Sequence, residues 1–281
     1  MLQGFLSTYL VRVLAPALLG ALLLPAAAHA GCSRVIKVPA AATGQTVTFK
    51  GEQTAGLVPD MLKVIGAKIG CTFKWSLVPR IRLEAMFEAG SADLLVAATH
   101  LDRRDQHGVF VPVLESRPTL ISIASDRPRI HNYEELLEQR ALRVALVRGY
   151  DYGDEYRELV KALGAQGRLY MEPDALSIGR LMAGGMADVT IMPASSFIGA
   201  LRDDPRVDGL AARLRTEVLE ELPWIKTGIY LSKKSLSKAD RDLLEQALIT
   251  SVKSGAWWVT LKKYYPVSVL TDHARPLDAS K

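Results

Sequence analysis

At 281 residues, with 49% hydrophobic and 23% charged, the chain has the composition of a folded globular protein. It is long enough for one large domain or two ordinary ones, and it is neither disordered nor fibrous. Its formal charge is +5, with Lys and Arg interspersed among acids as in "DRRD" and "RDDPRVD", so nucleic acid is not an expected partner.

In chain order the first element is an export signal. Residues 1–12 carry Arg12 and no acid, the apolar run "VLAPALLGALLLPAAA" follows, and "AHA" predicts cleavage after Ala30. Pro16 and Pro25 break the run, which is short for a membrane anchor. Cys32 raises lipidation as an alternative, but His29 stands where a lipobox carries Leu, which disfavours it. The remaining segment, 31–281, holds 34 Lys and Arg against 30 acids, or +4, and is expected to be soluble, monomeric and periplasmic.

"RVIKVPA" (34–40) predicts a strand, and "GLVPDMLKVIGAKIG" (56–70) a helix with Val58, Met61, Leu62, Ile65 and Ile69 on one face and Gly70 as its stop. "CTFKWSLV" (71–78) alternates as a strand, "RIRLEAMFEAG" (80–90) is a second helix, and "DLLVAA" (93–98) is a strand buried on both faces. This is βαβαβ, which predicts a parallel sheet. Parallel neighbours place Cys32 and Cys71 at the same sheet end, which favours a disulfide in an exported chain, and neither cysteine lies in a zinc-type CxxC.

The pattern then restarts. "VPVLESRPTLISIAS" (111–125) is one long extended segment in which Pro112 and Pro118 block helix. A short helix in "NYEELLEQ", a strand in "ALRVALV" (141–147) and a helix over 153–164 closed by Gly164 follow. "GRLYM" is a strand, "DALSIGRLMAG" a helix capped by Asp174, and "ADVTIMP" (187–193) a buried strand. "LPWIKTGIYLSK" (222–233) crosses back, and the tail helices are expected to pack on the first lobe, Trp257 and Trp258 included. The fold class is α/β, with two lobes joined by two extended strands and a cleft between them.

Ligands in open α/β sheets bind beyond the carboxyl ends of strands, here the loops "THLDRR" and "RGYDYG". Arg104 presents a fork suited to a carboxylate, with the Thr99 hydroxyl beside it; the alternative is an arginine paired with Asp102 or Asp105. Arg103 is expected to meet solvent or an acidic neighbour. Gly149 allows an unusual backbone angle, Tyr150 and Tyr152 offer rings to a ligand, and Asp151 either caps the next helix or holds a ligand ammonium. His100 and His107 flank Asp102 and Asp105 without a metal-ligand spacing, so no metal is expected. GxSxG, HExxH, P-loop and complete GxGxxG motifs are absent, so neither catalytic residues nor a cofactor are expected.

Five segments, in order, resemble the bacterial extracellular solute-binding proteins of family three: "GLVPDMLKVIGAKIGC", "IRLEAMFEAGSADLLVAATHLDRRDQHGVFVPV", "LRVALVRGYDYG", "LMAGGMADVTIMP" and "GIYLSKKS…SGAWWVTLKKYY". The resemblance implies a type II, Venus-flytrap binding protein that delivers an amino acid or other small carboxylate to an ABC permease. It implies lobe one over 31–115, lobe two over 116–225, and a return to lobe one over 226–281, after a signal at 1–30. The family's carboxylate-binding arginine falls on Arg104, its hydroxyl and backbone contacts near Ala97, Ala98 and Thr99, and its second-lobe turn on Gly149, Tyr150 and Asp151. Three features depart from the pattern. Pro193 stands near the usual ammonium-binding acid, Ala97 and Ala98 replace serines, and the aromatic after the first strand is missing unless Phe49 substitutes. The same fold implies two alternatives, a secreted dehydratase acting on cyclic carboxylic acids and a soluble receptor reporting to a membrane sensor.

Overall fold

The computed structural model describes residues 31–202, 204–271 and 273–277; the signal sequence read over 1–30 and its cleavage point lie outside the described residues. Lobe one opens with β1 (Ile36–Ala40), then a hairpin of β2 (Thr48–Lys50) and β3 (Gln53–Ala55). α1 (Leu57–Ile69) buries Val58, Met61, Leu62 and Ile65, and it ends at Gly70, whose φ of 69° closes the helix left-handedly. β4 (Phe73–Leu77), α2 (Arg80–Glu88), β5 (Leu94–Thr99), the one-turn α3 (Asp102–Asp105) and β6 (Gly108–Ser116) complete its first pass.

The second sheet takes β7 (Thr119–Ile123), α4 (Tyr133–Glu138), β8 (Val144–Val147), α5 (Asp154–Ala165) and β9 (Leu169–Glu172). It continues through α6 (Ala175–Ala183), β10 (Val189–Met192), α7 (Ala194–Leu201) and β11 (Leu214–Glu217). The chain returns through β12 (Ile225–Ser232) and closes with α8 (Lys238–Lys253), α9 (Ala256–Tyr264), α10 (Val267–Leu270) and β13 (Ala274–Pro276).

β1 pairs in parallel with β4, and the Asp93 N–H donates to the Lys37 carbonyl at 3.0 Å, which sets β5 beside β1. From β5 the ladder runs antiparallel through β12, β6 and β13. One face of this sheet packs on α1, α8 and α9, with Leu62, Leu244, Leu248 and Trp257 in a single core; the other packs on α2 through Leu83 and Phe87. Burying Leu62 completely stabilises the fold by about 2 kcal/mol.

The second sheet has the order β11-β7-β10-β8-β9, with β8, β9 and β10 parallel. Strand alternation sends Val144 and Leu146 to a core with α4 and α5, and Ala145 and Val147 to a core with α6 and α7. The inner strand β8, VALV, therefore reads as an unbroken apolar run, while β9, LYME, at the sheet edge does not.

Two expectations change. The extended segment 111–125 is two strands, because Arg117 and Pro118 carry the chain from one sheet to the other. Gly164 lies inside α5, and the left-handed turn is made by Gly167, with φ 70°. Helix α7 and the β2–β3 hairpin had no reading in the sequence. Cys32 and Cys71 are joined by a disulfide with Cα atoms 4.9 Å apart.

Candidate functional site

A bulge places the first loop. In the pairing of β5 with β12, Leu95 faces Tyr230 and Ala98 faces Gly228, so Val96 and Ala97 together oppose Ile229. Ala97 takes φ 50°, the one positive φ of a non-glycine among the described residues. The extra residue shifts the alternation: Ala97 faces the cleft, while Ala98 turns into the core with Leu83 and Phe87. Bulges of this kind re-aim side chains beside functional sites.

Beyond the bulge the loop is tied to its own lobe. Arg104, 2% exposed, donates through Nε and Nη2 to Glu84 of α2, the Nη2–Oε2 distance being 2.7 Å, and through Nη1 to the Thr99 carbonyl at 2.8 Å. Arg103 sits between two acids. Its Nη1 lies 2.7 Å from Glu84 Oε1, and its Nη2 reaches across the cleft to Asp151 Oδ2 at 3.0 Å. Burial pushes the Glu84 carboxyl up, but Arg104 and Arg103 outweigh it and hold it below the usual carboxylate range.

The second loop leaves β8. Gly149, φ 88°, lies against the Ile81 backbone, where a Cβ would stand 3.0 Å from the Ile81 Cα. Tyr150, Tyr152 and Tyr156 form an edge-to-face chain with centroids 6.0 and 4.8 Å apart. Asp151 accepts from the Gly153 N–H at 3.0 Å and from Arg157 Nη1 at 2.9 Å, besides Arg103. Burial pushes this carboxyl up; the Gly153 N–H, Arg103 and Arg157 together hold it low. The residue is therefore ionised and bonded to the turn before α5; the N-cap of α5 is Gly153, with no side-chain cap.

The lobes also meet elsewhere. Gln45 Nε2 donates to the Gly199 carbonyl at 3.4 Å, and Arg202 Nη2 donates to the Tyr264 carbonyl at 3.0 Å. Between these contacts lies an inner cavity of about 90 Å³ that mixes hydroxyls, from Thr43, Thr46, Thr99, Ser116 and Thr227 of lobe one and Ser195 and Ser196 of lobe two, with the apolar Leu57, Leu114 and Leu261. The volume is well below the ~300–1,000 Å³ of drug-sized sites, so this seat suits a small polar group. A wider cavity of about 320 Å³ opens between α2 and α5.

Ala97, Thr99, Tyr150 and Asp151 line the inner cavity, and Gly149 lines the outer one with Tyr150 and Asp151. Arg104 lines neither, since Glu84 takes its fork; the partner is neither Asp102 nor Asp105. Phe49 packs against the lobe-one core. Sequence reasoning missed Glu84, which sits on the helix before β5 with no motif to mark it, and the cleft hydroxyls at 43, 46, 195, 196 and 227. His100, Asp102 and Asp105 do gather, with ligand atoms within 4.8 Å of one another; His100 Nε2 bonds Asp105 Oδ2 at 3.0 Å, and His107 lies outside the group.

No family model matches the chain, and no curated protein does. Solved structures match it well. The arginine-, lysine-, histidine-binding protein of Geobacillus stearothermophilus aligns at TM-score 0.66 and 15% identity, over 83% of this chain and 95% of its own. An ancestral arginine-binding protein bound to glutamine gives 0.64 and 15%, over 82% and 97%. A histidine kinase sensor domain with similarity to periplasmic binding proteins gives 0.64 and 18%, over 83% and 96%. At these identities the likeness shows the fold: the chain has the α/β architecture of type II periplasmic binding proteins. Among the described residues no helix is long and apolar enough to cross a membrane.

Proposed function

We propose that the protein is a periplasmic solute receptor whose two lobes close on a small polar solute and deliver it to an ABC permease. One observation carries the reading: the strand-end loops of two separate sheets converge on one hydroxyl-lined cavity, with Ala97, Thr99, Tyr150 and Asp151 on its walls. A ligand that contacts both walls favours the closed arrangement over the open one, and a permease that recognises the closed form reads that shift. In this reading Thr99 and the hydroxyls bind the solute. Arg104 organises the wall through Glu84 and the Thr99 carbonyl, and it reaches a ligand carboxylate only if Glu84 is displaced. The export signal read in the sequence of residues 1–30 and the amino-acid-binding neighbours support the same class. Asp151, bonded to Arg103 and Arg157 and held below the usual carboxylate range, suits the receptor reading better than the general acid of the dehydratase alternative.

The sensor-domain neighbour favours a second reading, in which the same closure reports to a membrane kinase. Binding to a purified permease or to a sensor separates the two.

The receptor reading is tested by thermal shift with arginine, lysine, histidine, glutamine and a series of carboxylates, together with small-angle scattering. A bound ligand at a hundredfold excess over its Kd stabilises the folded state by about 2.7 kcal/mol, and the radius of gyration falls or holds at its closed value. If no solute stabilises the protein, the reading fails.

A further inference from the structure

The outer cavity differs from the inner one in both shape and charge. Its walls carry apolar groups, Ile81 from α2, Val160 from α5 and Met171 from β9, beside the Tyr150 and Tyr156 rings. Around these lie the guanidiniums of Arg80, Arg103 and Arg157, with Arg104 close behind.

Three of these arginines are satisfied. Arg104 is held by Glu84 and the Thr99 carbonyl, Arg103 by Glu84 and Asp151, and Arg157 by Asp151 and Asp154. Arg80 is different. Among the described residues its side chain makes no hydrogen bond and no ion pair, and its guanidinium lies over the Tyr150 ring, 5.6 Å from the centroid. Glu84, the acid whose charge acts on it, is already bound by two other arginines. Burial pushes the Arg80 guanidinium down, and the Arg104 charge adds to the effect. A guanidinium stays charged regardless, so a half-buried one with no partner is a group that an anion would satisfy.

The acids matter as much as the arginines. The carboxylates lining the two cavities are Glu84 and Asp151, and both are engaged with arginines. Glu88, 4.0 Å from Arg103, and Asp154, beside Arg157, are rim groups exposed to screening by solvent. A ligand ammonium therefore meets cations and finds no free carboxylate, whereas a ligand carboxylate meets an unpaired guanidinium.

We infer that the solute is a small carboxylate without an α-ammonium, which extends past Tyr150 and Asp151, common to both cavities, so that its acid group pairs with Arg80 and its apolar or aromatic body lies on Ile81, Val160 and Met171 of the outer one. The inference rests on the receptor reading and sharpens it. Arg80, at the first turn of α2, selects the ligand, and the lobe-two tyrosines close over it.

Calorimetric titration with matched pairs tests this: 3-phenylpropanoate against phenylalanine, 4-methylpentanoate against leucine, glutarate against glutamate. Each is measured on the wild type, Arg80→Gln and Arg80→Lys. The expected result is that at least one acid binds about tenfold or more tighter than its amino counterpart. Arg80→Gln then weakens it by about tenfold to a hundredfold, the span of a charge-assisted hydrogen bond, and Arg80→Lys recovers part of the loss. The melting temperature without ligand stays unchanged in both variants, which separates binding from folding. If the amino acids bind as tightly as the acids, or Arg80→Gln binds the acids unchanged, the Arg80 inference is overturned while the receptor reading stands. If neither member of any pair binds, and the broader thermal-shift series is silent too, both fall. Phenylglyoxal labelling mapped by mass spectrometry checks the premise without a ligand. Arg80 should react ahead of Arg104, and the reverse order overturns the assignment of Arg80 as the free guanidinium.

Discussion

Leaving β5, the chain turns its arginine inward: Arg104 is buried, and its donors go to Glu84 and the Thr99 carbonyl of its own lobe. Leaving β8, it turns tyrosine rings into the cleft and spends Asp151 on Gly153, Arg157 and the opposite lobe's Arg103. Both loops sit at strand ends of a type II binding-protein fold, yet one is an internally satisfied clamp and the other a surface of faces and shared charge. The position of a residue in a fold fixes where its backbone goes. Whether its side chain is free depends on neighbours from other elements, and Glu84 decides that for Arg104.

The largest effect that would break this contrast is Arg104→Ala. It strips the half-buried Glu84 of its bidentate partner and the Thr99 carbonyl of a donor, and losing hydrogen bonds to a charged group costs about 1.5–3 kcal/mol. Arg103→Ala touches the same Glu84 from a side chain 44% exposed and is expected to cost under about 1 kcal/mol. Urea unfolding of the two variants measures both. Equal losses would mean that Arg104 is no clamp.

Gly149→Ala comes next. A residue with a Cβ at φ 88° is strained, and that Cβ would press on the Ile81 backbone of lobe one. The conformational term alone is about 1–2 kcal/mol, and part of it is relieved if the lobes separate. Scattering should show a larger radius for this variant. An unchanged radius with the full stability loss would show that the strain is borne within lobe two.

The contrast between the loops also marks what the sequence reveals. α1 and α6 were legible because apolar spacing, Gly70 and the Asp174 cap agree, and Asp174 does accept from the Ser177 N–H at 2.7 Å. β8 was legible because a parallel strand buried on both faces reads as an apolar run. The bulge at Ala97 was hidden by the same property, since a run apolar throughout shows no break in alternation. Glu84 reads as a solvent-facing helix residue between Leu83 and Phe87, and only the packing of α2 on β5 brings it to Arg104, twenty positions on. Arg80 follows Pro79 at the helix start with nothing to distinguish it; its significance lies in lacking a partner, which a sequence does not display.

The smallest effect concerns acid. Glu84 in lobe one and Asp151 across the cleft both have folded-state carboxyls held below their ordinary values. Unfolded, each takes up its proton near pH 4. The stability they contribute is therefore fully present above that range and is lost as pH falls through their depressed folded values, because the unfolded chain binds the protons first. Arg103 remains charged throughout and cannot compensate. Urea midpoints measured at pH 7, 4 and 3 should fall more steeply for the wild type than for Glu84→Gln combined with Asp151→Asn, which starts lower and has less to lose. Because both carboxylates flank Arg103, the radius of gyration should rise over the same acid window in the wild type. Parallel midpoint curves would show that these two acids are not what ties the loops together, and that the lobe contacts at Gly199 and Arg202 hold the cleft without them.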